Sequence, residues 1–95
     1  MTNENDIYES EIVLSESLPE SDTLPALSYA LIKKEIFDEE WGIRQSFTLL
    51  CECGGEIAVL SDITSIRERA EEIFRLFVKN TVTPMSAFYV IEEMI

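Results

Sequence analysis

The residues of this chain best suited to chemistry stand together in "LLCECGGEIAVL", residues 49–60, where Cys51 and Cys53 flank one glutamate and run into a glycine pair. Such a string admits a metal knuckle, a redox pair or the turn of a hairpin. A tetrahedral zinc site needs four nitrogen or sulfur donors. The chain offers two thiols and no histidine, so only a four-thiolate site shared across a dimer would supply the number. Closing a disulfide between positions i and i+2 of a strand is strained. Thioredoxin-like chemistry uses two intervening residues and a helix N-terminus that stabilises the thiolate. The turn accounts for the whole string: Cys51 faces a core as a small hydrophobe, Cys53 sits at the turn, and Gly54-Gly55 supply positive φ. Cys51 and Cys53 are therefore only weak metal candidates. No Gly-Lys-Ser/Thr follows the glycines, so they form no phosphate loop.

The carboxylates give little more. Glu92 and Glu93 are adjacent, and adjacent helical positions diverge by ~100°, so the pair does not converge on one reacting centre as acid–base catalysis requires. Asp62 could join Glu52 and Glu56 at a cation, but a helix-entry or turn role is simpler. Without histidine neither a Ser-His nor a Cys-His pair can be built. The expectation is that the chain is not an enzyme.

The charge balance narrows the partners. The net charge is −12. Residues 1–26 carry seven acidic side chains and no basic one, whereas residues 27–95 carry twelve acidic and seven basic. A nucleic-acid binder clusters Lys and Arg to neutralise phosphates. Here the cations are diluted by Glu35, Glu68, Glu71 and Glu72, and the same field repels an anionic membrane surface. No nucleic acid and no membrane are expected, and a basic protein remains a fitting partner. The N-terminus lacks the basic-then-apolar pattern of a secretion signal, and no segment approaches the roughly 18 apolar residues of a membrane span. Two closely spaced cysteines do not make a secreted disulfide framework. A cytoplasmic location is expected.

The elements that would position these residues follow from periodicity. Residues 1–26, broken by Pro19 and Pro25, read as an acidic, mostly disordered arm, in which only "IYESEIVL" has the apolar content for a short added strand or docking motif. Residues 27–95 read as one domain. "LSYALIKKEIF" is a strand, "DEEWG" a turn, and "IRQSFTLLCE" a strand with Ile43, Phe47, Leu49 and Cys51 on one face and Arg44, Ser46, Thr48 and Glu52 on the other. "EIAVL" is a third strand. Ser65 with Glu68 resembles a capping box before a helix whose apolar stripe is Ile66, Ala70, Ile73, Phe74, Phe77 and Val78, with Asn80 as its stop. Thr83 and Pro84 open a last helix that is apolar almost all round over residues 85–91. The expected fold is α+β: a three-stranded antiparallel meander followed by two helices, β-β-β-α-α.

The order of motifs is also familiar. An aromatic-Gly-Ile turn, "WGI" (Trp41–Ile43), precedes a strand ending in "LSDIT" (Leu60–Thr64), then a helix, then the Ser/Thr-Pro-led acidic segment "TPMSAFYVIEEMI". This resembles a family of small bacterial proteins of unknown function, over roughly residues 27–95. The resemblance implies a C-terminal His two residues after the proline and an Asp three residues further on. This chain has Ser86 and Tyr89 there, and of that cluster only Pro84, Glu92 and Glu93 fit. A site built on the histidine would be absent, so the resemblance supports the order of elements and implies no activity.

The functional expectation is a non-catalytic protein-interaction or regulatory module without cofactor, with a metal- or small-molecule-binding protein using the Cys51/Cys53 region as the alternative. The apolar surplus of the last helix points to a homodimer. Trp41, Met85, Phe88 and Ile91 are the interface candidates, Trp41 with the competing role of a lid over Phe37 and Ile43.

Overall fold

The computed structural model describes residues 7–94. Four antiparallel strands, β1 (Ile7–Leu18), β2 (Leu27–Asp38), β3 (Gly42–Cys53) and β4 (Glu56–Thr64), form one sheet in the order β1-β2-β3-β4. Two helices, α1 (Arg67–Lys79) and α2 (Pro84–Met94), follow and cover one face of it. The α+β class and the two C-terminal helices are as expected. The strand count is not: the meander has four strands, and the first lies in the segment that reads as an acidic arm.

β1 escapes a pattern reading for a physical reason. Its pairing with β2 shifts by one residue between Ile12 and Leu14, leaving Val13 as a bulge. A bulge inverts the phase of side-chain alternation. Ile12, opposite Ile32, therefore turns to the open face of the sheet, while Leu14, opposite Leu31, turns to the helices. Read without the bulge, Ile12, Leu14 and Leu18 would share one face and Val13 would lie on the other. With it, Val13, Leu14 and Leu18 all pack against the core.

The core lies between sheet and helices. Leu31, Phe47, Leu49, Cys51, Ile73 and Phe77 are completely buried. They come from the inward positions of β2 and β3 and from the apolar stripe of α1, as the two periodicities require. β4 contributes Ala58 and Leu60 and turns Ile57 and Val59 outward. Ser46 and Thr48, on the opposite face of β3, are buried as well.

Strand and helix lengths do not match. Each of β2 and β3 has twelve residues, about 40 Å of extended chain, whereas helices of thirteen and eleven residues span only about 16–20 Å. The β2–β3 hairpin therefore runs on past the helices, and the molecule is 50 × 27 × 21 Å. Phe37 and Ile43, paired with each other at the far end, are about half exposed.

Candidate functional site

Cys51 and Cys53 both occupy inward positions of β3 and are buried. Their surroundings are built by three elements. The end of α1 closes with a Schellman turn: Thr81 N–H donates to the Val78 carbonyl (3.2 Å) and Val82 N–H to the Phe77 carbonyl (3.0 Å), the paired bonds that satisfy the last carbonyls of a helix. Asn80 is the C-cap, as its sequence position suggests, and its side-chain Nδ2 donates to the Leu76 carbonyl at 2.9 Å. The turn drives Val82 into the core, where its own carbonyl accepts two hydrogen bonds. One comes from the Tyr29 hydroxyl on β2 at 2.8 Å, the other from the Cys51 thiol at 3.2 Å. Tyr29 and Cys51 face each other across the β2–β3 pair, so the register itself brings both donors to one acceptor.

Electrostatics holds these groups neutral. Burial, reinforced by the neighbouring Cys53, pushes the Cys51 thiol up to about 11, and burial together with Cys51 and Cys53 pushes the Tyr29 phenol up to about 12. A metal ligand or nucleophile needs the thiolate, and this site disfavours it. Cys53 Sγ lies 3.8 Å from the Pro25 carbonyl, facing the loop between β1 and β2. Gly54 and Gly55 have φ of 57° and 87°, the left-handed conformations the hairpin turn requires. Among the described residues no group of three or more His, Cys, Asp or Glu is placed to hold a metal ion. Glu52 lies on the face opposite Cys51 and is exposed.

Asp62 belongs to the strand and not to the helix entry. Between the pairs Leu49–Leu60 and Phe47–Thr64, β4 carries three residues against one on β3. Asp62 sits in this bulge with φ 54°, a conformation that Asp tolerates better than most residues. Its Oδ1 accepts a hydrogen bond of 2.5 Å from the buried Ser46 hydroxyl. Thr64 Oγ1 then accepts the Ile66 N–H at 3.1 Å. The "LSDIT" motif is thus the device that ends the sheet and launches α1. The expected Ser65–Glu68 capping box does not form; Ile66 is the N-cap, without a side-chain cap bond, and it is 60% exposed.

The interface candidates separate. On α2, Met85, Phe88 and Tyr89 are 75%, 53% and 74% exposed, and their spacing puts them on one side of the helix. Ile91 belongs to the core instead: it is buried with Pro84 and Ala87 against the protein's own interior. Trp41 lies at the tip of the projecting hairpin, beside Gly42 with φ 79°, and is 78% exposed. At the C-terminal end of α2, the Arg69 guanidinium bonds both Glu72 and the Met94 carbonyl, tying the last turn of α2 to the first turn of α1.

Two hollows lie on the surface of the described residues. One of about 530 Å³ lies at the end of the sheet, between Leu18, Leu27 and the Gly54–Gly55 turn, with Glu52 as its charged group. The other, of about 310 Å³, runs between β1 at Leu14–Glu16 and the last turns of α1. Sequence reasoning missed the Tyr29–Cys51–Val82 junction, the Ser46–Asp62 bond and this groove. Each joins residues far apart in the chain, and only a tyrosine and a cysteine at inward strand positions hinted at a buried polar junction.

No curated protein and no solved structure matches this chain. One family model does, over residues 8–95, so that it takes in β1 as well as the rest of the fold. The chain belongs to that family, the family of unknown function DUF6514.

Proposed function

We propose that this protein is a non-catalytic interaction or regulatory module that works as a homodimer. The observation that carries the reading is the outward side of α2, where Met85, Phe88 and Tyr89 form an exposed apolar triad on a helix whose opposite side is already packed. Apolar side chains grouped on one helix face are the usual material of an interface core, and aromatic residues and Met are enriched there. Two copies of α2 related by a twofold axis would bury the triad against itself. The thiols support the non-catalytic part, since the neutral Cys51 is occupied by the Val82 carbonyl; this counts against the alternative of metal or small-molecule binding through Cys51 and Cys53. The location proposed is cytoplasmic, in keeping with reduced cysteines; among the described residues no helix is long and apolar enough to cross a membrane.

Light scattering of the full chain at micromolar concentration tests this reading. Twice the chain mass is expected, and Phe88→Glu should give a folded monomer, because Phe88 is half exposed and its charge can reach water. A wild type that stays monomeric at all accessible concentrations refutes the dimer.

A further inference from the structure

We propose that β1 is a docking edge, which takes up an extended segment of a basic partner protein as a fifth strand. This deepens the interaction reading and is independent of the α2 dimer. The sheet order leaves β1 with one neighbour, so its outer backbone groups form a template for strand addition. The other edge, β4, is interrupted by the bulge at Asp62. β1 is bulged as well, between Ile7 and Glu9 and at Val13, and its regular stretch runs from Leu14 to Leu18.

The second observation is the groove of about 310 Å³ beside that regular stretch. Leu14 and Glu16 face the helices, and across the gap stand Phe74 and Val78 of α1, with Arg75 and Lys79 above them. The sheet layer is thus one strand wider than the helix layer that covers it. A strand added to β1 would extend this uncovered margin of the sheet, alongside the groove. Alternate side chains of that strand would enter the groove against Leu14, Phe74 and Val78, so that position is apolar.

Charge selects the occupant. β1 carries Glu9, Glu11 and Glu16 and no cation, and the whole of residues 1–26 is acidic without a single Lys or Arg. Pairing β1 with its copy would bring two such segments together, and like charges on adjacent strands repel. A segment with Lys or Arg beside Glu11 and Glu16 gains attraction instead. Glu11 already shows the geometry, since its carboxylate accepts the Lys33 ammonium of the neighbouring strand at 3.0 Å. On the far wall Arg75 is paired with Glu71 at 3.4 Å and Lys79 also lines the groove, so the occupant's side chain over Phe74 and Val78 must be apolar and its cations must lie on the β1 side.

The test uses a fluorescent decapeptide that repeats Lys-Thr-Val-Thr, so that lysine and valine alternate on the one face shared with Glu11, Leu14 and Glu16, read by anisotropy against the full-length wild type and against Phe88→Glu. Both proteins should bind at micromolar peptide, with amide exchange slowed along Leu14–Leu18. The joint Glu11→Lys and Glu16→Lys variant should bind at least tenfold more weakly and should gain affinity for the matching peptide with glutamate in place of lysine. A lysine–valine peptide interrupted by two prolines should also bind at least tenfold more weakly, because it cannot continue the ladder. Should the reversed strand fail to fold, Val78→Arg fills the groove from the helix side and carries the same expectation of weakened binding. Equal binding of the proline peptide, protection elsewhere than β1, or no binding at all overturns the proposal. A monomeric wild type that still binds overturns only the dimer.

Discussion

Among the described residues Thr81 and Asp62 have positive φ without being glycine, and Thr81 is the β-branched one of the two. Thr81 occupies the left-handed position of the α1 Schellman turn with φ 46°, a place that glycine usually fills because a Cβ, and above all a branched one, is disfavoured there. Thr81→Gly should therefore stabilise the fold by about 1 kcal/mol, seen as a rise of roughly 4–8 °C in the thermal midpoint. An unchanged or lower midpoint would mean that the Thr81 hydroxyl, which donates to the Asn80 carbonyl at 2.8 Å, outweighs the strain. Nearby, Tyr29 and Cys51 make stability sensitive to alkali. Both groups have folded pKa values above their ordinary ones, so their contribution is complete below the unfolded pKa and is lost as pH rises through the folded one. For Cys51 that window runs from about 9 to about 11, with Tyr29 following from 10 towards about 12. Urea titrations from pH 7 to 11 should show a midpoint that is flat to about pH 9 and then falls. Replacing Cys51 with Ala should remove the lower part of that fall.

At the scale of elements, β1 decides whether the fold is a three- or four-stranded sheet. Val13, Leu14 and Leu18 are each partly buried against the core, and Leu18 pairs with the almost fully buried Leu27. Full burial of such side chains contributes about 1.5–3 kcal/mol each. Partial burial of three, together with ten paired positions along β2, makes deletion of residues 1–18 costly, on the order of 3 kcal/mol or more. A truncated protein that melts with the full-length chain would show that the sheet is complete without its first strand. The family match, over residues 8–95, takes in the same element.

For the whole molecule, the net charge of −12 makes the two proposed interactions respond to salt in opposite senses. Dimerisation through the apolar side of α2 brings two anionic bodies together, so screening their repulsion should tighten it. Docking of a basic strand on β1 joins opposite charges, so screening should loosen it. Between about 0.05 and 0.5 M salt, where the Debye length shortens severalfold, sedimentation should show a rising dimer fraction while peptide anisotropy shows falling affinity. Parallel responses would place both events on surfaces other than those assigned here.

The sequence by itself determined the local features. Alternation identified the inward residues of β3, the 3.6-residue period identified the buried stripe Ala70–Ile73–Phe74–Phe77, and Pro84 and the Gly54-Gly55 pair marked a helix start and a turn, because each of these depends only on neighbours along the chain. The order of motifs likewise led to a family of unknown function. Tertiary structure alone decided the rest. The phase slip at Val13 and the insertion at Asp62 become visible only when a partner strand supplies the register. The side of α2 that is buried cannot be read from a segment apolar on nearly every side, and packing assigned Ile91 to the core and Phe88 to the surface. The junction of Tyr29, Cys51 and the Val82 carbonyl joins residues up to 53 positions apart, and the groove beside β1 exists because two helices are too few to cover four strands. Each is set by which surfaces meet, and that is a property of the folded chain as a whole.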